Sequence, residues 1–100
     1  MPLEFYASAS FNRSVRKLGS EQREVAAQIL EALMAYYASG CNLQKAQRQS
    51  PRFFYKQLRK PYYEAGVESN LRVIIVREKH LCTALLAGNH DHIRRFLAGV

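Results

Sequence analysis

Two histidines near the end of the chain, His90 and His92, stand one residue apart, just after Gly88-Asn89. An imidazole with an unperturbed pKa of about 6.5 can take up and release a proton near neutral pH. The third histidine, His80, also lies in the last 21 residues. His90 and His92 fall at an expected strand-to-helix junction, where a helix N-terminus also favours an anion. They make a poor half of a zinc site, since only Asp91 is nearby and two further ligands are missing. No metal or cofactor is expected. Solvated loop residues or cap partners are the plainer alternative for both rings.

The cations that could accompany an imidazole lie upstream. Residues 41–61 read CNLQKAQRQSPRFFYKQLRKP, with Lys45, Arg48, Arg52, Lys56, Arg59 and Lys60 and no acidic residue. Phe53, Phe54 and Tyr55 are interleaved among the charges. Cations neutralise a phosphate backbone and aromatic faces stack on bases, so this pattern favours nucleic acid over a merely solvated face. The same stretch suits an acidic protein partner. Arg72 and Arg77 follow on one expected strand and point to opposite faces, so at most one lines a given site. Arg72 either lines it or pairs across strands with Glu68 or Glu64. A two-residue turn at Ser69-Asn70 sets Arg72 opposite Val67. A three-residue turn sets it opposite Gly66, on the side that carries the glutamates. Phe96 continues the stripe of Ile93 and Leu97 and reads as core more than as a stacking platform.

One domain of 100 residues must position these groups. Fifteen Lys and Arg against eight Asp and Glu leave a formal charge of +7, which draws polyanions or acidic proteins. No apolar run approaches the ~18 residues of a membrane helix. The opening MPLEFYASAS lacks the basic and apolar regions of a signal peptide. Cys41 and Cys82 are isolated and make no CxxC. A cytoplasmic protein with free thiols and no membrane contact is expected.

The elements follow from pattern. Leu3 to Ala7 reads as a first strand. Ser8 or Ser10 caps a helix with Phe11, Val15 and Leu18 on one face, Arg13, Arg16 and Lys17 lying off that stripe, and Gly19 ending it in a left-handed conformation. Ser20 caps a longer helix that stops at Ser39-Gly40. Residues 41–61 read as a loop and a short edge strand bracketed by Pro51 and Pro61. Tyr62 to Glu68 alternates in polarity. Leu71 to Arg77 and Leu81 to Ala87 are apolar enough for central strands. Asn89 or Asp91 caps a short final helix. The sum is α+β: βαα, a basic segment, a small antiparallel meander and a terminal helix, with helices on one face of the sheet.

This order, and four strings within it, resemble the RelE/ParE superfamily of bacterial toxin–antitoxin toxins. The strings are FNRSVRKLGS at 11–20, Lys56-Gln57-Leu58-Arg59-Lys60, Tyr62 to Val67 followed by Asn70 to Ile74, and Ala87-Gly88-Asn89-His90-Asp91-His92 through Phe96. The resemblance spans nearly the whole chain. It implies a compact α+β toxin held inactive by a cognate antitoxin. In the RelE-type branch it implies an endoribonuclease that cleaves mRNA on the ribosome. In the ParE-type branch it implies a DNA gyrase poison without nuclease activity.

The departures from the family pattern bear on both branches, and they are the best support for the gyrase poison. Gly66 stands where the family's hairpin motif carries Arg, and Phe96 stands where many members carry a terminal Tyr. A phenol therefore cannot serve as base. The closer resemblance is to the YafQ-like and HigB-like branch, in which a C-terminal His takes the acid/base role; His92 with Phe96 has that spacing of four, and His90 is the alternative. On this reading Arg72 and the cations Lys56, Arg59, Lys60 and Arg77 hold phosphate, and Phe96 stacks on a base. The product is a 2′,3′-cyclic phosphate. The gyrase poison is the second reading, and an inactive relic that binds only antitoxin or nucleic acid is the third.

Overall fold

The structure, a computed structural model, describes residues 3–67 and 70–100. Strand β1 (Glu4–Ala7) leads into α1 (Ala9–Arg16), which starts where Ser8 Oγ accepts the Phe11 amide at 3.0 Å. Helix α2 (Ser20–Ala38) is the long core helix. Gly19 precedes it in extended backbone (φ −69°, ψ 168°) and is its N-cap residue. The expected left-handed Gly19 is thus corrected: α1 closes at Lys17, whose amide turns back to Ser14 O while the Leu18 amide turns back to Val15 O. Ser20 is the first helical residue rather than the cap. At the other end of α2 the left-handed stop is real, with Gly40 at φ 74° and Cys41 at φ 63°.

Helix α3 (Leu43–Gln49) replaces the loop expected in the basic stretch. Asn42 Oδ1 accepts the Lys45 amide at 3.2 Å, and Gln, Lys and Arg are good helix formers. Only Ala46 of this helix is buried, so no apolar stripe announced it. Four strands then follow, β2 (Phe54–Arg59), β3 (Tyr62–Gly66), β4 (Arg72–Glu78) and β5 (Leu81–Gly88), and last α4 (His90–Ala98). Of the expected turn and its flank, Glu68 and Ser69 lie outside the described residues.

The sheet order is β1-β5-β4-β3-β2, with β1 parallel to β5 and the other pairs antiparallel. This is the expected α+β meander, with β2 at an edge. Helices α1 to α3 bury Phe11, Ile29, Leu33 and Phe53 against Ala65, Val73, Ile75, Cys82 and Ala84. A correction concerns α4, which packs on β4 and β5 from the other face. Strand alternation sends Ile74 to that second face, and Ile74 and Ile93 are both buried outside the main cluster. Leu71 to Arg77 could be apolar on both sides because both faces are covered. Among the described residues no helix is long and apolar enough to cross a membrane.

Helix α1 completes an edge of the sheet. Where β1 ends, the Ser8 amide bonds Ala84 O at 3.0 Å. Ser10 Oγ donates to Leu85 O, and Ser14 Oγ accepts the Ala87 amide, each at 3.0 Å. Helix side chains thereby satisfy strand groups that a longer β1 would have paired.

A cluster of phenols sits under α2. The Tyr37 hydroxyl donates to Tyr55 at 2.8 Å, and the rings of Tyr36 and Tyr55 lie 4.4 Å apart. Burial, and then the Tyr55 hydroxyl, raise the Tyr37 pKa; burial also pushes Tyr36 up to about 12. In the unfolded chain these phenols ionise near pH 10. The folded state therefore holds its full advantage below about pH 10 and loses it as pH rises through 10 to 12. Thermal melts should be flat in this respect up to about pH 9.5 and fall steeply above it, with Tyr37→Phe falling less steeply. A wild-type melting temperature unchanged at pH 11.5 would contradict the burial of these rings.

Candidate functional site

On the α4 face, one row of residues crosses four strands. Phe54 pairs with Gly66, and Arg72 pairs with Gly88. Continuing the Ala65–Val73 register by one residue sets Gly66 opposite Arg72. This is the second of the two registers open to the sequence. Directly opposed residues share a face, so the row reads Phe54, Gly66, Arg72, Gly88. Arg72 is thus flanked on both sides by glycine.

Neither glycine leaves empty space. A Cβ at Gly66 would lie 2.7 and 2.8 Å from the Phe54 ring carbons Cε1 and Cζ and 3.1 Å from Arg72 Cδ. The room that Gly66 leaves beside Arg72 is filled by this ring. The Arg72 guanidinium carbon lies 4.8 Å from the Phe54 ring centroid, a cation–π contact that draws it toward β2. A Cβ at Gly88 would lie 2.7 Å from His92 Cβ, 2.9 Å from Cγ and 3.0 Å from Nδ1. His92 therefore rests on bare backbone, that of the residue paired with Arg72.

The local sequence of α4 orients that ring. Asn89 is the N-cap, and its Oδ1 accepts the His92 amide at 3.0 Å. His92 Nδ1 in turn accepts the Asn89 amide at 3.2 Å, closing a reciprocal capping box. With Nδ1 accepting, the proton of the neutral ring belongs on Nε2. His90 is the first residue of α4 and is exposed. Two helical residues are about 200° apart, so His90 and His92 cannot serve one site together. Only His92 sits on Gly88.

His92 separates two hollows. One, of about 330 Å³, is lined by Arg13, Ser14, Lys17 and Leu86, among others; the second, of about 250 Å³, reaches Gln22, Asn70 and Asn89. Arg13 on α1 and Lys17 at its C-cap are one turn apart and face the same way. They are the cations on the opposite wall from α4, and the sequence marks them only as residues off the apolar stripe. Their i, i+4 spacing was readable. Their facing His92 depends on α1 covering the β5 edge.

The other candidate residues go elsewhere. Lys56 Nζ lies 3.1 Å from Glu64 Oε1, and Glu64 is only 3% exposed. Arg59 Nη2 donates to Leu97 O at 2.6 Å and Val100 O at 3.5 Å, tying down the end of α4. Phe96 is half-buried and edge-on to Tyr62, with centroids 5.5 Å apart, so it also anchors α4. Lys60 is exposed in the β2–β3 turn. Arg77 lies on the opposite face, 6.0 Å from the Tyr63 ring centroid. Basic side chains close in sequence are thus dispersed in space: one in an ion pair, one on a helix end, one across the sheet. Among the described residues no three His, Cys, Asp or Glu side chains converge as metal ligands.

The Lys56–Glu64 contact has a measurable consequence. Lys56→Met leaves a buried carboxylate without its cation and should cost about 1–3 kcal/mol, at the lower end because Lys56 itself is exposed. Adding Glu64→Gln should return part of that loss. Urea denaturation of the single and double variants checks both, and a single variant as stable as wild type would refute the pairing.

No family model matches the sequence, and no curated protein matches it. Solved structures do match the fold. A copper-bound mutant toxin from Helicobacter pylori superposes with a TM-score of 0.65 at 17% identity, covering 91% of this chain and 98% of that one. YafQ in the DinJ-YafQ toxin–antitoxin complex of E. coli gives 0.64 at 18% identity, covering 93% and 98%. The RelB-RelE antitoxin–toxin complex of Methanococcus jannaschii gives 0.62 at 13% identity, covering 91% and 96%. Over nearly its whole length, then, the chain has the fold of the RelE and YafQ toxins.

Proposed function

We propose that the protein is the toxin of a toxin–antitoxin pair and an endoribonuclease that cleaves mRNA on the ribosome, with His92 and Arg72 at its centre. The observation that carries this reading is the seating of His92 on Gly88, the cross-strand partner of Arg72, at a hollow edged by Arg13 and Lys17. In the proposed reaction the ribose 2′-oxygen attacks the adjacent phosphorus, the bond to the 5′-oxygen breaks, and a 2′,3′-cyclic phosphate and a 5′-hydroxyl result. Arg72 binds the phosphate, and Arg13 and Lys17 add charge stabilisation as negative charge builds on its oxygens. His92 first donates from Nε2 to a phosphate oxygen. The 2′-hydroxyl proton passes to solvent water; solvent protonates His92 at Nδ1, which breaks the contact with the Asn89 amide, and the imidazolium then gives its Nε2 proton to the leaving 5′-oxygen and returns to the neutral ring. His90 has no such seat. The partner is a cognate antitoxin with acidic surface, matched to the +7 charge.

Inducing the protein in cells and mapping transcript 5′-ends tests the reading. New 5′-hydroxyl ends within coding regions, relieved by co-expressing the neighbouring reading frame, are expected. Intact transcripts together with inhibited gyrase supercoiling would replace it with the gyrase-poison reading.

A further inference from the structure

A larger cavity than the hollows at His92 lies elsewhere. A cleft of about 660 Å³ opens between the C-terminal end of α2 and the β4–β5 turn, at the far end of the sheet. Arg77, Lys79 and His80 line one side, and Tyr37, Gly40 and Cys41 the other. None of the described residues lining it is acidic.

The sheet itself sorts the charges. Arg77 lies on the helix-covered face, in alternation with Val73 and Ile75, so Glu78 belongs to the opposite face. In β1, Phe5 contacts Tyr37 at 5.8 Å on the helix face, so Glu4 is also turned away. Glu4 instead receives the Tyr6 hydroxyl at 3.4 Å. Both carboxylates nearest the turn are thereby removed from the cleft.

The helix end does not neutralise the cations. The final carbonyls of α2 are taken by its own cap: Ala35 O by the Ser39 amide, Tyr37 O by the Gly40 amide, Tyr36 O by the Cys41 amide. Arg77 is also held in place. Its guanidinium lies by the Tyr63 ring and the Tyr55 hydroxyl. Burial pulls its pKa down, but the Tyr55 hydroxyl and the neighbouring thiols outweigh this and leave it raised, so the charge is secure.

We infer that this cleft is a second anion site, which binds a phosphate group through Arg77, Lys79 and His80. Arg72 and Arg77 are five residues apart on one strand, roughly 17 Å, and face opposite ways. The site is therefore separate from His92 and does not depend on the nuclease reading. The phosphate is either a free phosphate species or a group in an RNA backbone.

The test is amide NMR of the purified protein, titrated with inorganic phosphate and, separately, with sodium chloride at matched ionic strength. Saturable shifts at Cys41, Lys79 and His80 are expected with phosphate and not with chloride. Lys79→Gln combined with His80→Gln changes two exposed side chains and should leave the fold intact while weakening phosphate at least about fivefold. A short single-stranded RNA distinguishes the sources. RNA that competes with phosphate at these amides identifies backbone phosphate. RNA that moves only the amides around His92 identifies a free species. Equal shifts with chloride, or unchanged phosphate affinity in the double variant, would overturn the proposal.

Discussion

His92→Gln should lose about 10²–10⁴-fold in RNA cleavage while the protein melts within a degree or two of wild type. The choice of substitution matters. A Gln at this position is the usual partner in a capping box, so its side chain can accept the Asn89 amide as His92 Nδ1 does. The helix start is kept and the titrating ring is removed. His92→Ala should lose the same activity but also about 0.5–1 kcal/mol of stability, because one of the two reciprocal bonds disappears. His90→Ala should leave cleavage close to wild type, because the helix turns it about 200° away from His92. Steady-state cleavage of a defined transcript, read beside circular dichroism melts, separates these outcomes. Undiminished cleavage by His92→Gln would remove the imidazole from the mechanism.

Gly88→Ala is the second large effect, and it touches no charged group. The added methyl would lie 2.7 Å from His92 Cβ and 2.9 Å from Cγ. His92 Cβ is rooted in the backbone of α4, so no side-chain rotation clears the clash. The N-terminus of α4 must lift from β5. Overpacking of this kind costs about 1–3 kcal/mol. A displacement of roughly 1 Å between catalytic groups lowers activity by as much as about 10²-fold. Gly88→Ala should therefore reduce both stability and cleavage. Gly66→Ala makes an equally short contact, but with the tip of the Phe54 ring, which can rotate aside. Its stability loss should be the smaller of the two. Urea denaturation and the cleavage assay together check the pair; wild-type activity in Gly88→Ala would show that the seat of His92 is not needed.

The α+β order, the strands and the helix caps at Ser8 and Asn89 could be read in advance because each rests on local pattern. Polarity alternates along Tyr62 to Val67, β-branched residues fill Leu71 to Val76, and Ser and Asn stand where a helix begins. Helix α3 was missed for the same reason, since Ala46 alone carries its core contact. The side of the sheet on which α4 packs was also beyond local pattern. The stripe of Ile93 and Leu97 shows that a face is buried and not which surface buries it.

Residue type and spacing alone determined that an imidazole would stand at a helix start, that the chain carries a large cationic surplus, and that Arg72 and Arg77 would part company across a strand. Only tertiary structure decided which cations meet His92. The acid-free stretch with its interleaved aromatics favoured Lys56, Arg59 and Lys60, yet a buried Glu64 and the carbonyls at the end of α4 hold the first two. Arg13 and Lys17, more than seventy residues from His92, face it across a hollow because α1 seals the edge of β5. Register is the physical reason. A sheet pairs residues by strand position rather than by distance along the chain, and one residue of slip would turn Arg72, Gly66 and Gly88 away from one another.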